Sequence, residues 1–145
     1  MSGARVAALA RGWIGTPWCH GAACRGAGAD CLGLVRGVWR ELYGTVVPER
    51  PVYPLDWAEA GAPDALLQGV GRHLRPLPAD APMCPGDVLV FQLSARGPAR
   101  HLGVATAAGP QGRFVHACSG TGVVEVSLSA PWRRRLVARF AFPEV

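Results

Sequence analysis

Asp30-Cys31-Leu32-Gly33-Leu34-Val35 is the stretch whose reading decides the fold. Asp30 has the side chain of a helix N-cap. Beyond it, Leu34, Val35, Val38, Trp39 and Leu42 recur at helical spacing and make an apolar stripe. Arg36, Arg40 and Glu41 take more polar positions and Gly44 is a natural stop, so residues 31–43 read as the best helix of the chain. Gly33 and Gly37 weaken that helix, which predicts close packing of its surface against another backbone. Cys31 opens the helix. Backbone donors at a helix start favour negative charge, and a thiol placed there is expected to lose its proton more readily than a free one. A thiolate is a nucleophile, so the stretch asks for a histidine to serve it.

Working outward, residues 2–12 read as a short helix with Ser2 as cap and with Val6, Leu9 and Ala10 on its apolar side. Gly12 and Gly15-Thr16-Pro17 break it, and a glycine-rich loop follows from Gly21 to Gly28. From Val46 to Pro63 the prolines Pro48, Pro51 and Pro54 discourage regular structure, with Trp57 as an anchor. Residues 64–72 suit another short helix, and His73 to Pro85 an extended loop. After the turn signal Pro85-Gly86-Asp87 the period changes. Val88–Leu93, His101–Thr106, Arg113–Ala117, Val123–Val126 and Leu136–Phe142 read as short strands separated by glycine turns. Helices first and antiparallel strands later define an α+β class, and 145 residues suit one domain spanning 1–145.

All 15 basic residues are arginine against 10 acidic ones, a formal charge of +5 that can steer the chain toward anionic partners. The Arg133-Arg134-Arg135 cluster reads as a solvated face or protein contact. No helix-turn-helix, zinc finger or aromatic–basic interleaving supports nucleic-acid binding. No stretch reaches the roughly 18 apolar residues that span a bilayer, and the N-terminus lacks a secretion signal, so a cytoplasmic product without membrane insertion is expected. The cysteines are Cys19, Cys24, Cys31, Cys84 and Cys118; an odd count leaves at least one unpaired in any monomeric disulfide scheme. A metal cluster of Cys19, His20 and Cys24 lacks a matching second half, so no metal and no cofactor is expected.

The histidines are His20, His73, His101 and His116. His101 opens the apolar run His101-Leu102-Gly103-Val104-Ala105, and His116 lies in Phe114-Val115-His116-Ala117. If these strands are antiparallel neighbours joined through Gly109-Pro110-Gln111-Gly112, both rings can share one face. Cys31 would then be a nucleophile, His101 its base and His116 the group that orients His101. Spacing alone leaves the bland alternative open: a buried free cysteine and two histidines satisfied in a core.

The sequence resembles the NlpC/P60 cysteine peptidases, in particular the phage-type cell-wall peptidases of tail tips. The resemblance rests on Gly15-Thr16-Pro17-Trp18, Asp30-Cys31-Leu32-Gly33-Leu34-Val35, Pro85-Gly86-Asp87-Val88, His101-Leu102-Gly103-Val104-Ala105 and Phe114-Val115-His116-Ala117, in the family's order from Gly15 to Ala117. It implies a reduced papain-like fold, with N-terminal helices packed on a small antiparallel β-sheet. It implies Cys31 as nucleophile, His101 as base and His116 as third member, and a peptidoglycan peptide as substrate. The stretch from Leu34 to Gly44 resembles the phage-type branch, found among tail genes and in phage-like gene transfer particles. This implies tail-tip, hub or baseplate partners and a chain made in the cytoplasm, assembled into a tail tip and acting in the bacterial periplasm or cell wall.

Two positions depart from the pattern. Trp18 stands where the family often has a tyrosine that helps stabilise the oxyanion; its indole N–H or the Cys31 backbone N–H can serve instead. Leu32 stands where many cellular members carry a serine that helps recognise the peptide. Asp30 is either a substrate-ammonium site or simply the cap, and His20 is a candidate border of the cleft. Cys118 is expected to pack in the core, Trp39 and Trp132 to serve packing rather than sugar stacking, and His73 to be a surface or satisfied residue. Two other readings stand beside the peptidase: a structural tail-tip adaptor keeping the fold with little activity, and an amidase or acyltransferase with the same triad.

Overall fold

A computed structural model describes residues 2–45 and 65–143 of the chain. Helix α1 (Ser2–Arg11) is followed by a hairpin of β1 (Ala23–Cys24) and β2 (Gly28–Ala29), then by α2 (Cys31–Tyr43). Next come α3 (Ala65–Gly71), β3 (Arg75–Pro76), β4 (Val88–Gln92), β5 (Ala99–Ala107), β6 (Arg113–Cys118), β7 (Gly122–Ser127), α4 (Ala130–Arg135) and β8 (Leu136–Ala141). The six strands β3 to β8 form one antiparallel sheet in the order β3-β8-β4-β5-β6-β7. This is the expected α+β arrangement. The proline-rich segment with Trp57 lies outside the described residues.

Helix α2 forms as its pattern dictates. Asp30 Oδ1 accepts the Gly33 N–H at 2.8 Å, and Gly44 ends the helix in the left-handed region at φ 77°. Leu34, Val35 and Val38 meet Val6 and Ala10 of α1 and the sheet residues Val88, Val90, Leu102, Val104, Val115, Ala117 and Val123. The alternate residues Leu89, Phe91, Ala105 and Phe114 face the other way and pack with Leu128 and Trp132. Both sheet faces are therefore buried, which explains why β4 shows an unbroken apolar run and no alternation. The expected packing against backbone is present at Gly33, whereas the close neighbour of Gly37 is a side chain. A Cβ on Gly33 would strike the Ala22 carbonyl, and one on Gly37 would strike the Trp13 ring.

Three elements escaped the sequence reading. The loop from Gly21 to Gly28 contains the β1–β2 hairpin, with Cys24 opposite Gly28. Arg75–Pro76 adds β3 at the sheet edge beside β8. Residues 130–135 form α4, where neither strand nor helix was expected. Strand β5 also begins two residues earlier than His101, at Ala99. Ser2 lies within α1 and not ahead of it.

Two polar clusters, one buried and one at the surface, tie the layers together. Arg139 Nη1 meets Asp87 Oδ2 at 3.2 Å, and its other donors reach the carbonyls of Pro78, Ala79, Ala81 and Pro82. Asp87 in turn accepts the Cys84 N–H at 3.0 Å, so this pair fixes the loop that leads into β4. On the other side, Trp13 Nε1 donates to Glu41 Oε1 at 2.6 Å and Arg25 Nη1 to Glu41 Oε2 at 2.9 Å. That network holds the end of α1 and the β1–β2 turn against α2.

Candidate active site

The site is made where the sheet ladder stops. β5 and β6 pair from Ala107↔Arg113 to Val104↔Val115, and no backbone pairing joins residues 99–103 of β5 to residues 116–118 of β6. Gly103 sits at this end of the ladder, where a Cβ would meet the Phe114 ring at 2.7 Å and the Val115 carbonyl at 3.1 Å. Beyond it the two strands are joined by side chains. His101 Nε2 and His116 Nδ1 lie 2.7 Å apart, with both residues buried. The histidines are thus antiparallel neighbours on one face, as expected, but they meet diagonally, past the end of the ladder.

Cys31 approaches the backbone of β5 from α2. Its sulfur is faced by the backbone N–H of Leu102, the residue after His101, and by the backbone N–H groups of Leu32 and Cys31 itself. The residue retains partial exposure, but its sulfur is enclosed. The Cys31 sulfur thus lies at the backbone of the residue after His101, and the imidazole pair packs with Phe91, Phe114 and Trp132.

The electrostatics differ from the expectation for a helix-start thiol. Burial, and then the Asp30 charge, push the Cys31 thiol up to about 12, although the three backbone donors act the other way. Desolvation outweighs the helix-start donors here because the sulfur is closed off from water. Burial, followed by the charge of His116, lowers His101 to about 3, and burial lowers His116 to about 4. At neutral pH the resting site is therefore a thiol beside two neutral imidazoles. A bond between two neutral imidazoles needs one donor and one acceptor. With Nε2–H of His101 donating to Nδ1 of His116, the His101 Nδ1 lone pair is left to take a proton.

Asp30 is occupied as a cap on both oxygens. Oδ1 takes the Gly33 N–H and Oδ2 takes the Gly21 N–H at 2.7 Å, while His20 Nδ1 stands 3.9 Å from Oδ2. Trp18 is half-buried, bridges to Ala29, and packs against the apolar cluster that also receives Cys31 and Leu32. Trp18, His20 and Asp30 thus belong to the segment that leads into α2 and Cys31. His73 is half-buried, with its ring 6.2 Å from Trp39.

Trp132 packs against the apolar cluster of Phe91 and Phe114, as expected, and what the sequence did not show is its contact with the histidines. Its ring stacks on His101 at 5.8 Å and 27°, and meets His116 edge-on at 5.2 Å. The only sequence signal was its position after Ser129-Ala130-Pro131, a helix-start pattern. Cys118 lies half-buried at the end of β6 and outside both apolar clusters, not in the core where it was expected. All five cysteines are free. Among the described residues no group of three His, Cys, Asp or Glu is gathered to hold a metal, and no helix is long and apolar enough to cross a membrane.

The sequence matches no protein-family model and no curated protein. Solved structures do match. The chain is similar to the NlpC/P60 domain of the peptidoglycan hydrolase SagA, with 21% identity, a TM-score of 0.62, and coverage of 98% of this chain and 100% of that one. It is similar to NlpC2 from Trichomonas vaginalis, with 21% identity, a TM-score of 0.68, and coverage of 97% and 46%. It is also similar to an NlpC/P60 family protein from Bacillus cereus, with 15% identity, a TM-score of 0.64, and coverage of 96% and 40%. The chain spans the whole of the first and under half the length of the other two. The fold is the papain-like α+β fold of NlpC/P60 domains.

Proposed function

We propose that this chain is a cysteine peptidase that hydrolyses peptide bonds in the stem peptides or crosslinks of peptidoglycan. The observation that carries the reading is the 2.7 Å His101–His116 pair, with the Cys31 sulfur at the backbone N–H of Leu102, the residue after His101 in β5. His101 Nδ1 takes the thiol proton as Cys31 attacks the carbonyl carbon. The imidazolium keeps its Nε2–H on His116 Nδ1, so His116 acts as acceptor and fixes the ring. The tetrahedral oxyanion is held by the Cys31 backbone N–H and the Trp18 indole N–H. The His101 proton then passes to the leaving amine, and water releases the thioester by the reverse sequence. Asp30, with His20 Nδ1 3.9 Å from its Oδ2, is the carboxylate proposed to receive a substrate ammonium. No metal or cofactor takes part in these steps.

The similarity to an NlpC/P60 domain of a peptidoglycan hydrolase supports the substrate class. The resemblance of residues 34–44 to the phage-type branch supports assembly into the tail tip of a phage-like particle, with hub or baseplate proteins as partners and action in the bacterial periplasm or wall. Neither nucleic acid nor membrane insertion enters this reading. The test is release of peptides from purified sacculi with mass analysis of the products. Cys31→Ala is expected to abolish release with the fold intact, and undiminished release would sink the assignment.

One observation favours a second reading. A thiol pushed up to about 12 is a weak resting nucleophile, as a tail-tip adaptor retaining the fold would have. Labelling with a cysteine-directed electrophile separates the two. Rapid modification of Cys31 that depends on His101 supports the enzyme, and modification indifferent to His101 supports the adaptor. Product masses separate hydrolysis from amidase or acyl-transfer chemistry.

A further inference from the structure

Three aromatic groups from three elements surround the imidazole pair. Phe91 of β4 lies 6.2 Å from His101, Phe114 lies 4.8 Å from His116, and Trp132 of α4 touches both histidines. Trp132 is itself fixed. Phe91 and Phe114 meet its ring at 5.0 Å and 5.2 Å, both edge-on. Its short helix is pinned by Arg133, whose Nε donates to the Leu128 carbonyl at 2.9 Å and whose Nη2 donates to the Gly109 carbonyl at 2.7 Å.

We infer that Trp132 is a positioning residue for the His101–His116 pair, and that its indole face stabilises the His101 imidazolium formed when Cys31 gives up its proton. The inference rests on the proposed triad, but concerns a residue outside it. The geometry is specific. His101 alone is presented face-on, within the ~6 Å at which an aromatic face attracts a cation. His116 meets the ring edge-on, and it is the partner that stays neutral. A neutral His101 gains little from the indole quadrupole and an imidazolium gains more, so the ring favours the thiolate–imidazolium pair over the neutral one. The other groups facing the pair leave this task open. Phe91 and Phe114 carry no charge, and among the described residues the charge effect on His101 comes from His116. Trp132 therefore offsets part of the desolvation that opposes charge in this site.

The experiment measures alkylation of Cys31 by iodoacetamide across pH 5–10, by mass mapping of the Cys31 peptide. It compares the wild type, Trp132→Phe and Trp132→Leu. This readout needs no peptide substrate, so inactivity on wall fragments would overturn the proposed function and leave this inference standing. Trp132→Leu is expected to slow alkylation at neutral pH by about 3–10-fold, matching a lost cation–π contact. Trp132→Phe, which keeps an aromatic face, is expected to stay within about twofold of wild type. Equal rates in all three proteins would overturn the inference, as would equal losses in both variants, because volume and not the ring face would then be what matters. Trp132→Met replaces the leucine variant if that one does not fold. In the wild type, ¹⁵N shifts are expected to show His101 protonated at Nε2; the opposite tautomer would also overturn it.

Discussion

Gly33→Ala separates helix propensity from site geometry, because the two predict opposite outcomes. In an exposed helix, alanine is more stable than glycine by about 1 kcal/mol. Here a Cβ on Gly33 would lie 2.8 Å from the Ala22 carbonyl carbon and closer still to its oxygen, and 3.0 Å from Asp30 Oδ1. Against the 3.4 Å at which ordinary contact begins, the carbonyl carbon alone is short by about 0.6 Å. Neither neighbour can yield cheaply. Ala22 contributes backbone, its carbonyl accepts the Asp30 N–H, and Asp30 is the cap of the same helix. The helix start must move away from the loop, carrying Cys31 with it. Overpacking of this kind costs about 1–3 kcal/mol, which cancels or exceeds the propensity gain. A displacement of about 1 Å at a reacting group costs on the order of 100-fold in rate. Gly69 in α3 is the control, since a Cβ there meets nothing within 4 Å. Urea denaturation is expected to show Gly69→Ala stabilised by about 0.5–1 kcal/mol and Gly33→Ala neutral or destabilised. Turnover of a wall peptide is expected to fall by at least tenfold in Gly33→Ala only. A Gly33→Ala protein both more stable and fully active would refute the reasoning.

Three further outcomes follow from the same contacts. Stability should be highest between about pH 6.5 and 9. Below that window His101 and His116, lowered to about 3 and about 4, make the unfolded state bind more protons; above it Cys31, raised to about 12, makes the unfolded state lose its proton first. Thermal melts across pH should show both losses, each up to about 1.4 kcal/mol per pH unit per group, with Cys31→Ala removing the alkaline one. Asp30→Asn keeps an acceptor for the Gly33 N–H but loses the charge that raises the Cys31 thiol, so alkylation at neutral pH should speed up while stability falls by about 1 kcal/mol. Arg139→Met leaves Asp87 buried without its cation and strands the carbonyls of residues 78–82. It should cost about 3–5 kcal/mol in urea denaturation.

The parts of the fold legible in the sequence were those with local rules. Asp30, the apolar stripe from Leu34 to Leu42, and Gly44 define α2 at both ends. The glycine turns at Gly109 and Gly120 separate β5, β6 and β7. The two-residue strands β1, β2 and β3 are too short to show any alternation, so they could not be read. Helix α4, Ala130-Pro131-Trp132-Arg133-Arg134-Arg135, has no apolar stripe and buries no residue fully, because arginine hydrogen bonds and one indole hold it in place. The His101–His116 juxtaposition was legible from strand order. The end of the β5–β6 ladder short of the pair was not, because it depends on register. The thiol's upward shift was also hidden, since a helix-start motif records nearby donors and not how far the fold shuts out water.

The central claim is that Cys31 attacks the substrate carbonyl with His101 as its base. Acid-quenched single-turnover reactions with a defined stem peptide, mapped by mass spectrometry, test it most directly. The account predicts an acyl adduct on Cys31, none on Cys19, Cys24, Cys84 or Cys118, and no adduct in His101→Ala. Cleavage that proceeds undiminished in Cys31→Ala would contradict it.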